Sequence, residues 1–154
     1  MKNYIIIFLL FFSTSIYSQE KYLGNGPYNQ LIIRGVTLIN GDGSPPRGPV
    51  DIVVENNIIV NIKSVGYPGV EIKDSSRPKL KQGGFELDAN GMFLLPGFID
   101  MHGHIGGTGQ GADYDYVFRL WMAHGITTVR EPGGRGVDWA VNLKKLSAEN
   151  KIVA

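Results

Sequence analysis

Residues 95–107 read Leu-Pro-Gly-Phe-Ile-Asp-Met-His-Gly-His-Ile-Gly-Gly, and they place two histidines, His102 and His104, at the end of a short apolar run. In a strand, residues i and i+2 project to the same face. The two imidazoles would therefore stand side by side and could hold one divalent metal ion. Nitrogen ligands suit zinc first, with manganese or iron as further choices. Asp100 shares the parity of both histidines and would face the same interior, while Gly103 leaves the opposite face bare. Pro96-Gly97 breaks the chain just before the run, so a new element begins there. Two histidines at this spacing can equally hydrogen-bond at the edge of a core, and the pair alone does not decide between ligation and structure.

The elements that must position this stretch follow from pattern. Residues 30–39, rich in Leu, Ile, Val and Thr, predict a strand that breaks at Gly41-Asp42-Gly43 and Pro45-Pro46. The β pattern resumes at 50–54, turns at Asn56-Asn57, where Asn tolerates positive φ, and returns at 58–62 as a small antiparallel sheet. The stretch 64–84 is polar and reads as a long loop whose Arg77, Lys79 and Lys81 form a solvated face. Residues 85–87 predict a short strand, Asn90-Gly91 a tight turn, and 92–95 a return into the histidine run. Beyond His104, a loop with Gly106, Gly107, Gly109 and Gly111 lacks the Lys-Ser/Thr ending of a phosphate-cradling loop and does not fit a dinucleotide fingerprint. It reads as open room beside the histidines.

Asp113 can cap a helix running to about His124. Val117, Leu120, Trp121 and His124 fall at i, i+3, i+4 and i+7 and predict one buried stripe, on which His124 reads as a core histidine. Gly125 ends this helix, and 126–130 predict a strand. Strand, helix, strand is a βαβ unit with parallel strands and a right-handed crossover. A second helix is expected over 138–149, with Trp139, Leu143 and Leu146 on one side, and 152–154 look like the start of a third strand.

The whole context Pro-Gly-Phe-Ile-Asp-x-His-x-His resembles the first barrel strand of the metal-dependent amidohydrolase superfamily, in its imidazolonepropionase- and dihydroorotase-like form. The approach over 86–97 is similar as well, and so is His124-Gly125-Ile126-Thr127-Thr128-Val129-Arg130, which resembles the entry to the family's second strand. There the histidine is not a ligand. Most relatives continue with Asp after the Arg, where this chain has Glu131.

The resemblance implies an α/β fold: the start of a (β/α)8 TIM barrel, preceded by a small antiparallel β-sandwich domain and truncated after about two barrel strands. A complete barrel needs ~250 residues, so the chain is expected to be an N-terminal fragment whose missing C-terminal segment completes the fold. His102 and His104 would be metal ligands, with one or two ions, zinc first, in the complete enzyme. No catalytic residue is expected within this stretch, because the remaining ligands and the catalytic aspartate come from later strands. The implied activity is hydrolysis of a small-molecule amide, cyclic amide or dipeptide C–N bond by a metal-activated water, the fragment itself being inactive. Arg130 and Arg135 could meet a substrate carboxylate but read more simply as structural arginines. The rival interpretation is a small secreted β domain that binds metal or a partner without catalysis.

Composition and address complete the organisation. The 154 residues are 43 % hydrophobic and carry a formal charge of +1. Lys2, the unbroken apolar run 4–12 and the small and polar residues up to Ser18 have the shape of a cleavable signal peptide, too short for a membrane span of ~20 residues. The expected division is a signal peptide 1–18, a small β domain 19–95 with its polar loop at 64–84, and an incomplete barrel unit 96–154. The mature chain would begin at Gln19, in the periplasm or outside the cell, with no stable membrane anchor. Loss of Lys2 leaves it neutral, without the basic footprint of a nucleic-acid binder or of a protein drawn to anionic lipid. With no cysteine, there is neither a disulfide framework nor a lipid-modified cysteine.

Overall fold

A computed structural model describes residues 25–106, 108–133 and 136–153. The signal peptide, Gln19, Gly107, Arg135 and Ala154 lie outside the described residues.

Strands β1 (Gln30–Leu38), β2 (Arg47–Glu55) and β3 (Ile58–Ser64) form the expected antiparallel meander. Asn56 and Asn57 make the β2–β3 turn with φ of 48° and 64°, the double positive φ that a two-residue hairpin of matching twist requires. Between β1 and β2 the register slips, pairing Ile33 with Ile52 but Val36 with Val50. This bulge at Arg34-Gly35 returns Ile33, Val36 and Leu38 to one face. There they pack with Val50, Ile52, Val54, Ile62 and Ala89 as one core.

The next two strands correct the sequence reading. β4 (Phe85–Asp88) and β5 (Phe93–Leu94) do not fold on each other across Asn90-Gly91; each pairs with β1, in parallel. They are successive pieces of one edge, separated by a turn in which the Met92 N–H donates to the Ala89 carbonyl at 3.0 Å. That turn steps the edge past the bulge, so the Ala89 N–H reaches the Arg34 carbonyl at 3.0 Å and the Thr37 N–H reaches the Met92 carbonyl at 2.9 Å. The front of the molecule is therefore one mixed five-stranded sheet, ordered β3-β2-β1-β4 with β5 also on β1, rather than an antiparallel sandwich.

The polar stretch 64–84 also differs from a solvated loop. It carries the chain back to the free edge of β1 and covers the second face of the sheet. Arg77 reaches Asp51 with Nε at 2.9 Å and Nη2 at 2.8 Å, and Arg34 adds Nη1 at 2.9 Å. The Gly35 N–H donates to the same carboxylate at 2.9 Å. Asp51 is fully buried, and each of its oxygens is satisfied, as a buried charge requires. Lys81 pairs with Glu55 at 2.7 Å. Arg77 is thus drawn into the interior, whereas Lys79 and Lys81 stay exposed.

β6 (Phe98–Asp100), α1 (Tyr114–Ala123), β7 (Ile126–Val129) and α2 (Val137–Ala148) form the second unit. β6 and β7 are parallel, as a βαβ connection demands. Helix α1 faces its neighbours with Tyr114, Phe118 and Trp121, which join Ile105, Val129, Trp139, Leu143, Leu146 and Ile152 in a second core. The predicted stripe is thus rotated: Leu120 is 44 % exposed. His124 is exposed too, with its Nδ1 2.8 Å from the Leu120 carbonyl at the helix end; it is satisfied but not a core residue. Residues 151–153 do not form a strand; Ile152 is buried against the helices instead. Among the described residues no helix is long and apolar enough to cross a membrane.

Candidate metal centre

The site sits at the tips of β6 and β7. Cross-strand bonds continue beyond the ends of both strands: the Arg130 N–H donates to the Asp100 carbonyl at 2.7 Å, and the Gly103 N–H donates to the Arg130 carbonyl at 3.1 Å. His102 and His104 therefore flank a residue anchored to the neighbouring strand's extension. They lie just past β6 rather than within it. Their rings come together as the spacing predicted, with centroids 5.5 Å apart and planes at 82°.

Packing explains the glycine between them. A Cβ on Gly103 would lie 2.7 Å from Val129 Cγ1 and 3.0 Å from two ring carbons of Trp121. The face opposite the histidines is thus filled by β7 and α1, and a side chain there would push the segment off its support. Gly97 is confined in the same way by Thr127, whose Oγ1 lies 2.0 Å from where a Cβ would stand.

The Asp100 carboxylate engages the backbone: its Oδ1 accepts the His102 N–H at 2.9 Å, which shapes the turn out of β6. Arg130 donates to the Met101 carbonyl at 3.3 Å and braces the same corner.

The carboxylate that reaches a histidine ring is Glu131. Its Oε1 lies 2.9 Å from His104 Nδ1 and its Oε2 accepts the Ile105 N–H at 2.9 Å. Oε1 also accepts the Gly133 N–H at 3.2 Å. Burial pushes the Glu131 carboxyl up, but the N–H groups of Ile105 and Gly133 and the nearby His104 outweigh it and hold the group below its ordinary range. The sequence marks this residue only weakly, as the first carboxylate past the tip of the strand beside the histidines.

Among the described residues, no group of three or more His, Cys, Asp or Glu side chains is gathered closely enough to hold an ion by itself. The residues present nevertheless fit part of a divalent-metal site. Two imidazoles lie side by side at one strand end, and one of them has a ring nitrogen engaged by a carboxylate, the usual support of a metal-bound histidine.

No protein-family model matches the chain. Among curated proteins it is 32 % identical over 102 residues to an N-acetylglucosamine-6-phosphate deacetylase of Lysinibacillus sphaericus, covering 66 % of this chain and 22 % of that protein. It is 33 % identical over 76 residues to a dihydroorotase of Thermoanaerobacter sp. (strain X514), covering 49 % and 14 %. To an N-acyl-D-aspartate deacylase of Alcaligenes xylosoxydans xylosoxydans it is 37 % identical over 75 residues, covering 48 % and 12 %. The chain thus spans less than a quarter of each of these relatives. Its fold is shared with a prolidase solved with N-methylphosphonate-L-proline (TM-score 0.58, 17 % identity, 80 % of this chain and 29 % of that one). It is shared too with an amidohydrolase (0.58, 19 %, 80 % and 29 %) and with molinate hydrolase (0.53, 21 %, 79 % and 28 %). These sequence relatives point to the amidohydrolase superfamily, and the shared fold agrees with them.

Proposed function

We propose that this chain supplies the first two metal ligands, His102 and His104, of an exported hydrolase that cleaves amide or cyclic amide C–N bonds in small molecules, dipeptides included. The observation that carries this is the pair of adjacent imidazoles at the strand tips, one of them backed by a half-buried carboxylate. The relatives named N-acetylglucosamine-6-phosphate deacetylase and N-acyl-D-aspartate deacylase favour an amide substrate, since both names describe removal of an acyl group from nitrogen. A divalent ion, zinc first, would supply a bound water acidic enough to ionise near pH ~7 and a Lewis acid for the substrate carbonyl.

The chain's own residues have narrower tasks. His102 and His104 bind as neutral imidazoles, Glu131 holds the His104 ring, and Arg130 fixes the turn beneath them. Residues 105–106, 108–112 and 131–133 follow the same end of the strands, the end at which barrel enzymes place their sites. The remaining ligands and the group that takes the proton from water belong to other strands of the complete protein.

The test is hydrolysis by the intact protein of a panel of N-acyl amino acids, dipeptides and cyclic imides with added zinc. Turnover that disappears in both His102→Ala and His104→Ala, and that is absent from residues 1–154 alone, is the expected result. Turnover that survives both substitutions would refute the assignment.

A further inference from the structure

Glu131 is more than a neighbour of the site. Its carboxylate is only 14 % exposed, whereas the His104 side chain is 46 % exposed. Two backbone donors and one ring nitrogen surround it: the Ile105 N–H on Oε2, and the Gly133 N–H with His104 Nδ1 on Oε1. A backbone N–H is a permanent donor, and an ionised carboxylate is an acceptor only. A neutral imidazole can carry its proton on either nitrogen, so it is the partner that must adapt. The cross-strand bonds Asp100–Arg130 and Gly103–Arg130 hold residues 104 and 131 level with each other, so the contact is built into the strand pair rather than made by a loose side chain.

We infer that Glu131 is the positioning residue of this centre: it fixes His104 in the form protonated at Nδ1 and so keeps the Nε2 lone pair available to a divalent cation. This rests on the assignment of His104 as a ligand. The carboxylate touches neither substrate nor reacting water; it acts through the imidazole. His102, whose ring makes no hydrogen bond to Glu131, is the internal control.

The measurement is the tautomer of each histidine in the metal-free intact protein, read from long-range proton–nitrogen NMR correlations, together with zinc affinity by calorimetry. Wild-type His104 should be protonated at Nδ1. In Glu131→Gln the shape is kept, but one oxygen becomes a donor. The Ile105 N–H, the shorter and less exposed of the two backbone contacts at 2.9 Å, keeps the remaining oxygen, while the exposed Gly133 N–H, at 3.2 Å, turns to water; His104 should therefore switch to the form protonated at Nε2, and zinc should bind about 10–100-fold more weakly. Glu131→Ala should give a mixture of forms and a similar loss of affinity, with His102 unchanged in both variants. Wild-type His104 protonated at Nε2 would overturn the inference without recourse to any variant. So would an unchanged tautomer, or unchanged zinc affinity, in either variant when its amide spectrum shows an intact fold. A tautomer that switches as stated in a protein that binds no zinc would support the positioning by Glu131 and refute the ligand assignment instead.

Discussion

Gly103 shows how much of the site is decided by what lies behind it. The sequence shows a bare residue between two histidines; the structure shows that Val129 and Trp121 occupy the space a Cβ would need. Gly103→Ala should cost about 1–3 kcal/mol by overpacking and should also weaken zinc binding, because the histidines ride on the displaced segment. Denaturant unfolding and calorimetry on the same preparation would check both. The adjacency of the His102 and His104 rings was legible because it follows from a spacing of two residues along one segment. Glu131 was not, since its role depends on the register between β6 and β7, which no local pattern encodes. His124 was misplaced for a related reason: helical periodicity gives a stripe, but the direction that stripe faces is set by α2 and β7.

Among the elements, β1–β3 were legible because alternation and the Asn56-Asn57 turn are local signals. The parallel docking of β4 and β5 on β1 was not, because their partner lies some fifty residues earlier in the chain. What holds that return segment is the Asp51 clasp. Burial pushes the Asp51 carboxyl up, but hydrogen bonds from Arg77, Arg34 and the Gly35 N–H outweigh it and hold the group below the ordinary carboxylate range. A carboxyl depressed in the folded state contributes stability above its unfolded value and loses it as pH falls through the folded one. Stability should therefore decline on acidification below about pH 4. Asp51→Asn should cost about 3–5 kcal/mol at neutral pH, since it leaves Arg77 beside a buried neutral group and Arg34 with Glu86 as its remaining carboxylate, and should flatten the acid-side decline. Unfolding curves from pH 3 to 7 on both proteins would show a parallel decline if the clasp contributed nothing.

For the molecule as a whole, the second unit shows why the complete fold could be read only in outline. Phe98, Ile99 and Met101 are each at least 60 % exposed around a two-stranded parallel sheet, and parallel strands are ordinarily covered on both faces. Residues 152–153, expected to open a third strand, are not in strand among the described residues; Ile152 packs on the helices. The address of the protein is a separate matter, carried by Lys2, the run 4–12 and Ser18. We expect export and cleavage before Gln19. N-terminal sequencing of protein from the native host should find Gln19 first, and intact Met1 in the cytoplasmic fraction would contradict export. Ligation of a metal by His102 and His104 is tested by metal content and zinc titration of the intact protein beside the His102→Ala/His104→Ala double variant. The wild type should carry bound divalent metal and rebind zinc after chelation, and the double variant should lose that site while keeping its fold. Equal metal content and equal zinc affinity in the two proteins would contradict it.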